Sequence, residues 1–331
     1  MILITGGTGF IGSHTVVEFL TAGLDVIILD NLYNSSDNII DRIKQITSIE
    51  PVFVKGDIRD ESLLQRIFVQ YNIKMVIHFA ALKAVSESIF KPLEYYDNNV
   101  SGTLNLLKVM QKNDVKSLVF SSSATVYGSP SDIPITENCP IGLPTNPYGV
   151  SKIMVEKMLQ DLVFSDKCWS VALLRYFNPV GAHKSGLIGE LPKGVPNNLL
   201  PYLTQVASGK LTKLSVFGND YKTVDGTGVR DYIHVVDLAV GHLKAYEYIK
   251  DKKSCHVWNL GTGNGYSVLE VIDAFEKATD KKVPFEIKPR RPGDIDECWS
   301  NCSKAEKELN WKATRDINTM MIDSWRWQNN Q

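Results

Sequence analysis

The sequence predicts an α/β fold: a doubly wound parallel sheet with helices on both faces, followed by a smaller mixed α/β lobe. Three observations predict it. Through the first half, short apolar runs alternate with stretches of helical length and pattern. The runs are continuous in their apolar character, as in strands buried on both faces of a sheet. A glycine-rich turn, Thr5-Gly6-Gly7-Thr8-Gly9-Phe10-Ile11-Gly12, joins the first run to the first helical stretch. A chain of 331 residues is long enough for one large domain or two of medium size.

The elements follow in order. Ile2–Thr5 reads as the first strand, Phe10–Ala22 as a helix stopped by Gly23, and Asp25–Asp30 as the second strand. Val52–Lys55, Met75–Phe79, Ser117–Phe120 and Val171–Leu174 read as further short buried strands, with helices near 39–48, 60–71, 93–112 and 149–164. Strand–helix alternation of this kind winds a parallel sheet. From Asn178 to Arg230 the chain is rich in Pro, Gly and Asn and its elements shorten, which marks the second lobe. Asp237–Ile249 is helical, Val257–Leu260 is a strand able to rejoin the sheet, and Val268–Lys277 is another helix. The division expected is a nucleotide-binding domain over 1–177, to which the chain returns at about 232–262, and a smaller lobe over 178–331. There is no internal repeat or low-complexity segment.

A net charge of −1 provides no global attraction to nucleic acid or an anionic membrane, so neither is expected as a partner. Hydrophobic residues at 44% and charged residues at 22% are ordinary for a globular protein. Cys139, Cys168, Cys255, Cys298 and Cys302 form no Cys-x-x-Cys pair, which favours free thiols and a reducing compartment. Cys298 and Cys302 lack the further ligands a metal site needs, and no metal is expected. Met1-Ile2-Leu3-Ile4 is only strand length, and no apolar run approaches a membrane span. A cytoplasmic location is the expectation.

The glycine turn carries the first functional reading. Gly6, Gly9 and Gly12 permit a tight turn and close approach of main chain to a pyrophosphate, and the helix behind them presents free N–H groups to the anion. Strand, turn and helix in this order make it a Rossmann-type dinucleotide site. Asp30 ends the second strand about 20 residues later, where a carboxylate takes the adenosine ribose hydroxyls and repels a 2′-phosphate. That selects NAD over NADP. Asp57 after the third strand, and Phe79-Ala80-Ala81 after the fourth, fall at the same carboxyl edge, where ligands of open α/β sheets sit.

Asn146-Pro147-Tyr148-Gly149-Val150-Ser151-Lys152 places a Tyr-x-x-x-Lys pair at a helix start, with Asn146 as cap and Pro147 in the first turn. The spacing puts Tyr148 and Lys152 on one face. A phenol with a pKa of ~10 is a poor base at neutral pH; a neighbouring ammonium and a cationic ring make its phenolate usable. Tyr246/Lys250 and Tyr248/Lys252 share the spacing but follow no polar strand end, and read as ordinary helix residues. Phe120-Ser121-Ser122-Ser123-Ala124-Thr125-Val126-Tyr127-Gly128 delivers hydroxyls to the edge that Tyr148 faces. Ser123 is placed to bond a substrate oxygen and relay its proton to Tyr148; Ser122 and Thr125 serve either that end or the turn.

With these residues assembled, the chain resembles the extended short-chain dehydrogenase/reductases, and among them the nucleotide-sugar 4-epimerases. The resemblance spans essentially the whole chain. It runs through His78–Val85, Pro92–Asn99, Asn146–Lys152, Leu174–His183, Pro196–Leu199, Phe217–Tyr221, Asp225–His234 and the Arg290–Asp294 motif. It implies reversible C4 epimerisation of UDP-glucose and UDP-galactose through a 4-keto sugar, with hydride lent to a tightly bound NAD. Tyr148 would take the proton of the 4-hydroxyl, Ser123 would assist, and Lys152 would hold the nicotinamide ribose. Further NAD contacts implied are Phe10, Ile11, Asp30, Asn31, Asp57, Ile58, Phe79, Lys83, Asn98 and Phe177. For the UDP end the resemblance implies Arg230 and Arg291 on the diphosphate, polar contacts from Asn178, Asn197, Asn198 and Asp294, and Val216 and Phe217 along uracil. Arginine forks suit phosphate. It also implies a homodimer formed through the helices near 93–112 and 149–164.

Two other readings share the scaffold. A nucleotide-sugar dehydratase or decarboxylase needs carboxylates just after the serine strand end, where this chain has Ala124-Thr125. A non-catalytic NAD-binding scaffold tends to lose the tyrosine or lysine, and both are present. One position departs from part of the family: Cys298 stands where some members carry a tyrosine that walls the sugar pocket. The smaller side chain predicts room for a 2-acetamido group, and hence UDP-N-acetylglucosamine (UDP-GlcNAc) and UDP-N-acetylgalactosamine (UDP-GalNAc) as additional substrates. The alternative is a small buried hydrophobe with neighbours closing the gap.

Overall fold

The structure, a computed structural model, describes residues 1–130, 132–194, 196–291 and 293–331. Its strands are β1 (Ile2–Thr5), β2 (Val26–Asp30), β3 (Val52–Lys55), β4 (Met75–His78), β5 (Ser117–Ser123), β6 (Ser170–Tyr176), β7 (Asn178–Val180), β8 (Leu214–Phe217), β9 (Val229–His234), β10 (Cys255–Leu260), β11 (Gly265–Ser267), β12 (Phe285–Lys288) and β13 (Glu297–Cys298). The chain forms two compact units. The first comprises Met1–Ser129, Pro140–Tyr176 and Ala239–Trp258; the second comprises Pro130–Cys139, Phe177–Leu238 and Asn259–Gln331. The segment returning to the first unit is therefore shorter than the 232–262 read from the sequence, because β9 pairs within the second unit.

A seven-stranded sheet in the order β10-β6-β5-β4-β1-β2-β3 organises the first unit. Strands β1 to β6 pair in parallel, in the doubly wound order the alternation predicts. Every residue of β1, β2, β4 and β6 is buried, which is why these runs show no polar alternation. Leu3, Ile27, Leu29, Val76, Leu118, Phe120 and Leu173 on the sheet pack with Leu64, Phe68, Leu106, Met110, Val155 and Leu159 from the helices.

In the second unit β9 is central, flanked by β11 and β13, with β7 also pairing to it; β8 and β12 form a separate parallel pair. Helices Leu199–Ala207, Val268–Thr279 and Ile317–Asn329 enclose a core of Leu203, Val206, Leu214, Val216, Tyr232, Val271, Phe275, Met320 and Met321. Among the described residues no helix is long and apolar enough to cross a membrane.

Candidate functional site

The predicted residues of the first unit gather at the carboxyl ends of β1 to β5. The glycine turn leaves β1 and enters the Phe10–Thr21 helix, whose cap position is Gly9. No side chain caps this helix and its first turn holds no acidic residue, so nothing there would oppose an anion at its N-terminal donors. The glycines are sterically required. Gly6 has φ +71°, and a Cβ there would lie 2.7 Å from the Ala80 nitrogen; at Gly12 it would lie 2.2 Å from the Gly6 carbonyl oxygen. The turn is thereby packed against Ala80 at the end of β4. This uncapped cradle fits a dinucleotide pyrophosphate.

Asp30, nearly buried, fastens the turn to β2. Its carboxylate accepts from Thr8 N at 3.1 Å, Leu32 N at 2.9 Å and Ser35 Oγ at 3.1 Å. Asn31 donates to Asp57 at 2.9 Å, tying the ends of β2 and β3. The Arg59 guanidinium holds the Asp57 carboxyl down at about 2, and Arg59 also bridges to Asp97 at 2.7 Å. Ile58 is buried, Phe79 is half-buried and its ring lies 4.8 Å from that of His242, and Lys83 is exposed. Asn98 lies on a π-helical turn over Asp97–Ser101 and donates to Asn99, which clamps Leu82 and reaches Ser151 at 3.0 Å. Phe177 is buried at the start of the second unit.

The Tyr148/Lys152 pair stands on the Pro147–Ser165 helix. Asn146 caps that helix, accepting from Gly149 N at 2.8 Å, and Pro147 occupies its first turn. Ser123 ends β5, accepts from Thr125 N at 3.2 Å, and is close enough to the Tyr148 side chain to lower its pKa. Burial raises the Tyr148 pKa, while the Ser123 hydroxyl and the Lys83 charge lower it. The Lys152 amine donates to the Ser121 carbonyl at 2.6 Å and lies 4.8 Å over the Phe120 ring and 5.8 Å from the Tyr148 ring centroid. Burial draws the Lys152 pKa down to about 7, opposed by the charge of Glu156. Ser122 turns away, donating to buried Glu156 at 2.5 Å, and the Thr125 hydroxyl is buried with no partner. Ser123 is thus the hydroxyl that meets the tyrosine. The other two Tyr-x-x-x-Lys pairs sit in packing roles, Tyr246 against Phe19 and Tyr248 against His256 and Trp258.

In the second unit Arg230 and Arg291 meet at Asp294, at 3.8 Å and 3.0 Å. The Arg291 guanidinium lies 4.9 Å from the ring centroid of Phe217, which ends β8 on the surface. Val216, the residue before Phe217 on β8, is 1% exposed and its side chain belongs to the core, while Phe217 lies at the surface. Strand alternation is the reason. Asn178 and Asn197 are exposed, and Asn198 donates to Glu190 at 2.8 Å. Cys298 on β13 lies opposite Arg230 on β9, and burial pushes its thiol up to about 11. Pro292 of the Arg290–Asp294 motif lies outside the described residues. Arg290, absent from the sequence-based set, stacks 3.9 Å over the ring of Tyr221 and pairs with Asp220 at 2.7 Å. Among the described residues no group of three or more His, Cys, Asp or Glu is placed to hold a metal ion.

Sheet, glycine turn and tyrosine–lysine pair together define a class: a doubly wound nucleotide-binding scaffold equipped for proton transfer at a hydroxyl. The profile of the GDP-mannose 4,6 dehydratase family matches residues 3–323. A UDP-glucose 4-epimerase of Pasteurella multocida is 60% identical over 99% of this chain and 97% of its own. The crystal structure of the Bifidobacterium longum UDP-glucose 4-epimerase, in complex with NAD+ and UDP, superposes with a TM-score of 0.97 at 57% identity, over 99% of this chain and 98% of that one. The enzyme from Stenotrophomonas maltophila, with bound NAD and a formylated UDP-arabinopyranose, gives 0.98 at 50% identity over 99% and 98%. The chain belongs to the UDP-glucose 4-epimerase family of extended short-chain dehydrogenase/reductases.

Proposed function

We propose that this chain is an NAD-dependent isomerase that interconverts UDP-glucose and UDP-galactose at C4. The observation that carries the reading is the Ser123–Tyr148–Lys152 set at the β5 edge with no carboxylate at the two positions that follow Ser123: 124 and 125 are Ala and Thr, in a short 3-10 turn. A dehydratase needs an acid and a base there to remove water. Sites equipped only for hydride and proton exchange leave the ring intact.

The uncapped start of the Phe10–Thr21 helix receives the pyrophosphate of NAD, and Asp30 receives the adenosine ribose. When bound, NAD supplies the hydride acceptor for C4 of the sugar. Tyr148 takes the proton of the 4-hydroxyl, assisted by Ser123, and gives it back to the epimeric oxygen. Lys152 holds the nicotinamide ribose and, as an ammonium, favours the Tyr148 phenolate. Arg230 and Arg291 grip the UDP diphosphate, with Asn178, Asn197, Asn198 and Asp294 as polar contacts and Phe217 along uracil. The test is incubation with UDP-galactose, chromatography and mass determination. UDP-glucose of unchanged mass is the expected product; a product lighter by one water overturns the reading. Tyr148→Phe should lower kcat by about 10² or more.

Cys298 also favours the acetylated pair, UDP-GlcNAc and UDP-GalNAc, as substrates, since a thiol occupies less of the pocket than a phenol. Cys298→Tyr should abolish turnover of that pair and spare UDP-galactose; equal rates of both forms on the acetylated sugars would sink the idea. A homodimer through the helices near 93–112 and 149–164 fits the exposure of Leu93, Leu104, Met154 and Phe164. Sedimentation should give twice the chain mass, and Phe164→Asp should reduce it to one.

A further inference from the structure

A buried polar network lies one helical turn beyond Lys152, and the chemistry above does not use it. Glu156 is wholly buried on the Pro147–Ser165 helix, four residues after Lys152 and on the same face. One of its oxygens accepts from Ser122 Oγ at 2.5 Å and Arg175 Nε at 3.0 Å; the other accepts from Arg175 Nη2 at 2.7 Å. Arg175, on β6, continues to the Tyr127 hydroxyl at 3.0 Å. Every group in the set is within 3% of full burial. A buried ion pair is weak evidence of stabilisation, because desolvation offsets its attraction, so its worth has to be sought elsewhere.

Its position supplies the answer. Three consecutive residues at the end of β5 each engage this one helix. The Ser121 carbonyl accepts from Lys152 and the Ser122 hydroxyl donates to Glu156, while Ser123 is the hydroxyl that lowers the Tyr148 pKa. The middle link lies between the two that hold reacting groups. We propose that Glu156 is a positioning residue for the reaction: through Ser122 it sets the register of the serine strand end against the helix that carries Tyr148 and Lys152. Arg175 anchors the carboxylate on its far side and leaves it one oxygen to share with Ser122. This inference rests on the Ser123–Tyr148–Lys152 reading of the site.

The test uses Ser122→Ala, Ser122→Thr, Glu156→Gln and the double variant Ser122→Ala/Glu156→Gln of the full chain, each measured for kcat, KM for UDP-galactose and Tm. Ser122→Ala leaves the Glu156–Arg175 pair intact, so it isolates the link from the fold. It should lower kcat about tenfold, with KM and Tm close to wild type, and Ser122→Thr should recover most of that loss. The double variant should be no slower than Glu156→Gln alone, because both act along one path. Wild-type kcat in Ser122→Ala, or losses that multiply in the double variant, would overturn the proposal. Full activity in Tyr148→Phe would instead bring down the underlying assignment of the site, and the positioning role with it.

Discussion

His78 shows how far single atoms decide behaviour here. The Thr103 hydroxyl donates its one proton to the Asn99 carbonyl at 2.6 Å, so it must accept from His78 Nε2 at 2.9 Å. That leaves His78 Nδ1 to accept from the Thr5 hydroxyl at 2.7 Å. The neutral ring is fully satisfied, and burial, helped by the Lys152 charge, pushes its pKa down to about 3 from 6.5. The unfolded chain binds this proton below about 6.5, whereas the folded protein resists it until about 3. Stability contributed by the neutral ring is therefore complete above 6.5 and falls as pH drops through that window, by up to about 1.4 kcal/mol per unit. Denaturant titrations from pH 7 to 4 should show this slope, and His78→Asn should flatten it. Gly12→Ala is a second test at this scale. Its methyl would stand 2.2 Å from the Gly6 carbonyl oxygen, a main-chain atom that cannot swing aside, so the turn must open. NAD titration followed by fluorescence should show affinity reduced by at least an order of magnitude in protein that keeps its wild-type far-UV circular dichroism.

At the level of elements, caps and turns set the accuracy of the site. Removing the Asn146 cap by Asn146→Ala should cost about 1 kcal/mol in chemical denaturation. It should also lower kcat, because Tyr148 lies in the first turn that the cap holds. Ser267→Ala breaks the capping box with Glu270, at a similar cost of about 1 kcal/mol, and should leave kcat unchanged. The same elements explain what could be read from the sequence alone. Strands buried on both faces and helices with clear stops were legible because their signals are local. Ser123, Tyr148 and Lys152 were legible because they fall in motifs at a strand end and a helix start. The stretch 93–112 looked like one helix but consists of Pro92–Tyr96, a π turn over Asp97–Ser101 and Gly102–Lys112. One wider turn hardly disturbs an apolar period, although buried Asn98 and Asn99 mark the place. Glu156 is not legible in the sequence because a glutamate on a helix is normally solvated, and only the position of Arg175 on a distant strand reveals its burial. Strands β7, β11 and β13 are too short for any period to register. The Ile317–Asn329 helix did carry legible signals, an Asp316 cap and apolar Met320, Met321 and Trp327 at helical spacing.

At the level of the whole molecule, neither unit is a continuous segment. The first needs Ala239–Trp258, since β10 lies against β6, and every residue of β6 is buried. A fragment ending at Tyr176 would present that strand as a bare apolar edge. It should be recovered in aggregates, whereas supplying residues 239–258 in trans should raise the soluble yield; a monomeric, cooperatively unfolding 1–176 fragment would show that the edge is dispensable. The interleaving also bears on biosynthesis. A ribosome delivers residues in order, and the strands from β1 to β6 emerge well before the one that covers their edge. The nascent chain must hold a nearly complete sheet open until residue 258 has left the exit tunnel. About half of the second unit, the 73 residues from Asn259 to Gln331, is then still to come. Slow translation before β10, or scarcity of chaperones in that interval, is where the yield of this protein would be decided.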